Sequence, residues 1–109
     1  MPVVRRRLSP QSIAVLSVLQ AARNQWRYGL EISEATGLKS GSLYPILVRL
    51  AERGLLESKW LEPEKQGRPA RHAYRITGLG REALSEAMAL ARAARLAPHP
   101  LKLPAGAKT

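Results

Sequence analysis

The side chains best placed for chemistry in this chain are hydrogen-bond donors and cations, not nucleophiles. Lys39, Ser40, Ser42, Tyr44 and Arg49 gather around Pro45 in the stretch GLKSGSLYPILVRL. No nucleophile–base pair is visible, and the absence of cysteine excludes a thiol nucleophile, a disulfide framework and a thiolate metal site. His72 and His99 lie far apart, without the spacing of a metal pair. Nothing ahead of Gly78 and Gly80 resembles a phosphate-cradling loop. The expectation is a binding protein with no enzymatic activity, no cofactor and no metal.

A helix has to carry these donors. On a wheel of about 100° per residue, Leu43, Ile46, Leu47 and Leu50 fall on one side. Ser42, Pro45 and Arg49 fall on the other, flanked by Glu52 and Arg53. Proline lacks an N–H and is cheap only in a first turn, where that donor has no partner. The helix is therefore expected to begin at about Ser42 as N-cap, with Ser40 as the competing cap and Pro45 as the third helical residue. Its N-terminus then presents unbonded N–H groups and a positive dipole end to an anion, with Lys39, Ser40, Ser42 and Tyr44 beside them. Arg49, on the exposed face, is placed to reach a base edge or a phosphate.

The neighbouring segments complete a pattern. Ser9-Pro10 reads as an N-cap and first helical residue, opening a helix over about 10–24 with an apolar stripe of Ile13, Leu16 and Leu19, then Ala22 and Trp26. Val15 and Val18 lie off that stripe and need a second surface. A short helix over 29–36, with Leu30, Ile32 and Ala35 apolar, is closed by Gly37 and joined tightly to the donor-bearing helix. Gly54 stops that third helix. Alternating segments at 55–61 and 70–77 flank a Pro- and Gly-containing loop, predicting a hairpin. Thr77 caps a last helix to about Leu96. The order α-α-α-β-β-α is mainly helical with a small antiparallel hairpin, the layout of a winged helix-turn-helix. The expected organisation is a basic arm over 1–8, this domain over 9–77, a C-terminal helix over 78–97 and a disordered tail over 98–109.

Charge points to the partner. Among 109 residues, 18 Lys and Arg against 8 Asp and Glu leave a formal +10, which favours a polyanion. Lys65, Arg68 and Arg71 surround Gly67 and Pro69 at the hairpin tip, with Arg75 further along, and Arg5-Arg6-Arg7 form a basic arm. The tip is expected to contact phosphate or a minor groove, and the arm to lie along a groove. No apolar run approaches a membrane span, and no signal-peptide core follows the first residues, so a cytoplasmic location is expected.

The last helix suggests self-association. Ala83, Leu84, Ala87, Leu90, Ala91 and Ala94 share one stripe, with charged residues opposite. A two-fold dimer is expected to bury Leu84, Ala87, Leu90, Ala91 and Ala94 with Val15 and Val18 of the first helix. The competing arrangement folds the stripe back onto the chain's own first helix.

These residues resemble the PadR family of bacterial transcriptional regulators. The resemblance rests on Gly29-Leu30-Glu31-Ile32, on Ser42-Leu43-Tyr44-Pro45-Ile46-Leu47 with Leu50, Glu52 and Gly54-Leu55-Leu56, on Gly67-Arg68-Pro69-Ala70-Arg71, on Tyr74-Arg75-Ile76-Thr77 and on Gly80. It implies a homodimeric winged helix-turn-helix that represses transcription from a palindromic operator on double-stranded DNA, often released by a small-molecule effector. With one helix after the wing, the chain is similar to the short branch of that family. Two other functions fit the same composition, a winged-helix protein-interaction module and an RNA-binding accessory protein.

Overall fold

The element boundaries follow from local chemistry. In the computed structural model, which describes residues 7–63 and 67–96, the order is α1 (Pro10–Ala21), β1 (Arg27–Tyr28), α2 (Gly29–Thr36), α3 (Ser40–Glu52), β2 (Leu56–Leu61), β3 (Arg71–Ile76) and α4 (Gly78–Leu96). The expectations for Arg5, Arg6, Lys65 and the tail from 98 lie outside the described residues.

Ser9 caps α1, its Oγ accepting the Ser12 N–H at 3.0 Å, with Pro10 at the first helical position. The helix ends at Ala21, earlier than expected, because Arg23 (φ 54°) and Asn24 (φ 68°) turn left-handed and reverse the chain into β1. Asn24 takes this conformation readily, whereas Arg23 gives no such signal. Gly37, at φ 79°, closes α2, where a side chain would be strained. Gly54, also at φ 79°, lets Leu55 N–H reach the Leu50 carbonyl and Gly54 N–H the Ala51 carbonyl, the paired bonds that end α3.

The start of α3 corrects the expectation. The helix begins at Ser40 with Lys39 at the cap, since the N–H groups of Ser42 and Leu43 both bond the Lys39 carbonyl, at 2.9 and 2.8 Å. Neither Ser40 nor Ser42 is the N-cap. Pro45 is thus the sixth helical residue, where its missing N–H removes the bond to the Gly41 carbonyl. Glycine at 41 adds a helix cost of about 1 kcal/mol relative to alanine.

The sheet has three strands in the order β1-β3-β2, all antiparallel, with Leu56 opposite Ile76 and Trp60 opposite His72. The third strand, β1, was not expected: it pairs Arg27 with Tyr74 and Tyr28 with Ala73. One aliphatic cluster fills the space between α1, α2, α3 and the sheet, built on Leu16, Leu19, Ile32, Leu43, Leu47 and Ile76.

Two apolar assignments change. Val15 is 0 % exposed and belongs to this core, because α1 is apolar on several sides and turns Ser12, Val15, Leu16 and Leu19 inward. It is covered by its own chain and is not available to a partner. Leu30 and Ala35 of α2 face outward, leaving Ile32 as its aliphatic core residue.

Thr77 joins the wing to α4. Its hydroxyl donates to the Gly54 carbonyl at 2.7 Å and accepts the Gly80 N–H at 2.9 Å, as a cap should. Gly80 sits against the Leu55 carbonyl and Ile76 Cγ1 so closely that a Cβ would overlap both. The first turns of α4 are thereby seated on the domain, and Leu84 is 2 % exposed. Leu84 is a core residue of this chain, so the fold-back arrangement holds for this part of the stripe.

Candidate nucleic-acid interface

The turn between α2 and α3 sets the direction of α3. Ser33 Oγ donates to the Leu38 carbonyl at 2.5 Å, Leu38 N–H to Thr36 Oγ1 at 3.2 Å, and Thr36 Oγ1 to the Ile32 carbonyl at 2.8 Å. Leu43, Ile46, Leu47 and Leu50 anchor the inner face of α3. Lys39, Ser40, Ser42, Pro45 and Arg49 remain exposed along the outer side. The Arg49 side chain makes no ion pair or hydrogen bond among the described residues, so its guanidinium is available to an external acceptor.

Tyr44 has a second task. It is 41 % exposed, and its ring lies across Gly29 with Cζ only 2.9 Å from where a Cβ would stand. Gly29 is needed there so that α3 can close on the start of α2. In the sheet an aromatic line runs from Tyr74 through His72 to Trp60. The Tyr74 hydroxyl meets His72 Nδ1 at 3.1 Å, and His72 stacks on Trp60 with ring centroids 4.4 Å apart. Burial raises the Tyr74 pKa above the usual phenol value, and the neighbouring Tyr44 adds to the rise. Tyr74 therefore stays a neutral phenol in contact with His72.

The wing is more structured than its composition suggests. Arg68 is exposed next to Gly67, whose φ of 90° makes the turn. Arg71 does not hang free: its guanidinium lies 3.8 Å from the centre of the Tyr28 ring. Lys59 and Arg75 both cover Trp26, at 4.5 and 4.4 Å, and Arg75 also pairs with Glu57 at 2.9 Å. Sequence reasoning missed these rings. A basic residue between two aromatics in Trp26-Arg27-Tyr28 was the available signal for an alternating strand.

The residues assigned to self-association divide in two. Val15 and Leu84 are buried in the chain itself, Val18, Ala87 and Ala91 are half-buried, and Leu90 and Ala94 are exposed. Among the described residues no group of His, Asp or Glu could hold a metal ion, and no helix is long and apolar enough to cross a membrane.

Comparisons with known proteins agree with this architecture. The chain is similar to a PadR family transcription regulator from Clostridium difficile R20291, with 24% identity and a TM-score of 0.68 over 80% of this chain and 92% of the other. A PadR family transcriptional regulator from Eggerthella lenta DSM 2243 shares 30% identity at a TM-score of 0.61, covering 74% and 73%. The PcaV transcriptional regulator from Streptomyces coelicolor, solved in complex with its natural ligand, has the same fold at 24% identity and a TM-score of 0.65, covering 89% and 69%. No curated protein is significantly similar in sequence. Residues 15–86, most of the described fold, match the model of the transcriptional regulator PadR-like family, and the chain belongs to that family of regulators.

Proposed function

We propose that this regulator is a repressor that binds a palindromic operator as a homodimer, with α3 as the helix that enters the major groove. The observation that carries this is the division of α3. Its aliphatic face is wholly committed to the core, while Lys39, Ser40, Ser42 and an unpaired Arg49 are turned outward. Arg68 at the wing, Arg71 held over the Tyr28 ring, and Tyr44 with its ring against Gly29 add further groups for phosphate contact. A formal charge of +10 supports a polyanionic partner, and the site of action is then the cytoplasm, where the DNA is.

The second copy is supported by the far half of α4. Leu90 is 55 % exposed, and Met88 and Leu96 on other sides of the same helix are exposed too, aliphatic surface that one chain leaves uncovered. Ala87, Ala91 and Ala94 give α4 a small-residue face against which a partner helix can lie closely, while the half-buried Val18 lies by Arg27, Glu31 and Ala35 on another side of α1. A small effector that releases DNA belongs to the same proposal. The open groove between α1 and α4, lined by Ser17, Gln20, Met88 and Arg92, offers polar and apolar contacts. PcaV, which shares the fold, holds a natural ligand.

A mobility-shift experiment on the chain's own upstream DNA tests the proposal. A sequence-selective shift that weakens with salt is expected. Equal retention of unrelated DNA, of RNA or of neither points instead to the RNA-binding or protein-interaction functions.

A further inference from the structure

Three residues of α3 do nothing for the fold of this chain. The buried residues Leu43, Ile46, Leu47 and Leu50 define the inward direction of the helix. At about 100° per residue, Gly41, Pro45, Val48 and Glu52 lie within about 30° of the line directly opposite. Arg49 and Tyr44 flank that line on either side. A Cβ at Gly41 would meet open space, so no packing requires a glycine there. Pro45 interrupts the helical bonding within the second turn. Val48 is a β-branched aliphatic residue left 53 % exposed on the outer side of α3, with Arg49 next to it. One exposed valine is ordinary. A glycine, a proline and a valine aligned on the outermost ridge, each unfavourable or idle in the free chain, point to a surface that closes against something absent.

The occupant has to be reached without donors, because none of the three side chains carries one. Glu52 continues the ridge and repels phosphate, so this line faces the groove floor and not the backbone. The apolar feature that a major groove offers is the 5-methyl group of thymine. We propose that Val48 reads thymine methyl groups, with Pro45 extending the apolar contact and Gly41 letting the helix backbone approach the base edges. Val48 is stiff about χ1, so it presents its methyls without losing much rotamer freedom on contact. Arg49, the next residue, meets a neighbouring base or phosphate. This inference rests on α3 being the DNA-reading helix and adds a base preference that Arg49 alone does not supply.

The test uses duplexes selected by the full chain from a random pool, with each thymine replaced in turn by deoxyuridine, which differs only in lacking the methyl. Wild-type protein is expected to lose about fourfold in affinity at one or two positions of each half-site, the equivalent of about one buried methylene. Val48→Ala is expected to bind the thymine duplex several-fold more weakly and to be indifferent to the same replacements. Gly41→Ala is expected to melt higher and yet bind more weakly, a pairing that a solvent-facing position does not produce. Tight, selective binding that ignores every replacement, or an unchanged methyl sensitivity in Val48→Ala, overturns the inference while leaving α3 as the DNA-reading helix. Failure to select any sequence overturns both.

Discussion

Helices α3 and α4 are both amphipathic, but they leave different things exposed. In α3 every large aliphatic side chain except Val48 is buried, and the outer face is glycine, proline, serine and arginine. In α4 the buried residues are Gly80 and Leu84 near its start, while Met88, Leu90 and Leu96 stay in solvent. A helix that has buried its aliphatic side chains but for one valine, and shows cations, is prepared for a polyanion. A helix that stops burying them halfway along is prepared for more protein. Leu84 is the last buried residue of α4, one turn beyond the close Gly80 contact, and Ala87 and Ala91 after it are only half-buried.

The sharpest way to separate the two helices is Leu90→Glu. The side chain is exposed in the single chain, so stability of the monomer should change by no more than about 0.5 kcal/mol. An unpaired charge buried in a two-fold contact should instead give monomers by sedimentation. Loss of the second DNA contact should then weaken operator binding by about 10²–10⁴-fold. An unchanged dimer would move the self-association surface elsewhere. Thr77→Ala acts on the seam between the helices, where one hydroxyl holds the end of α3 and the start of α4. Thermal or denaturant unfolding should register a loss of about 0.5–2 kcal/mol, with DNA contacts otherwise intact. The smallest effect is expected for Arg68→Ala at the wing. It should weaken binding to all sequences alike and reduce the salt slope by about one unit, measured by titration at several salt concentrations. A changed preference at one base pair, with the slope unchanged, would mean that Arg68 reads a base.

Much of this molecule was legible where one residue decides the local structure. Ser9-Pro10, Gly37, Gly54 and Thr77 each mark an element end by a capping acceptor, a ring constraint or a left-handed φ, and each appears as expected. Legibility failed where the deciding partner is distant. β1 is two residues long, so only Trp26-Arg27-Tyr28 hinted at alternation, and it exists because β3 offers it a pairing edge. α1 is apolar around most of its circumference, so a wheel could not tell that Val15 faces inward and Ile13 less so. The start of α3 moved because Pro45 is tolerated in a second turn whose lost bond is to the Gly41 carbonyl. The positions of Arg71 and Arg75 depend on Tyr28 and Trp26 across the sheet, and no local pattern contains that information.

The central claim is that the outer side of α3 reads DNA sequence, and Arg49→Ala on a selected duplex tests it most directly. Fluorescence anisotropy at one fixed salt concentration would compare wild type and variant on that duplex and on a scrambled one. The side chain is exposed and unpaired among the described residues, so the fold should survive. Specific affinity is expected to fall by about 1–3 kcal/mol, with binding to the scrambled duplex changing far less. Equal affinities of the two proteins for the selected duplex would contradict the account, and would remove α3 from the surface that chooses the sequence.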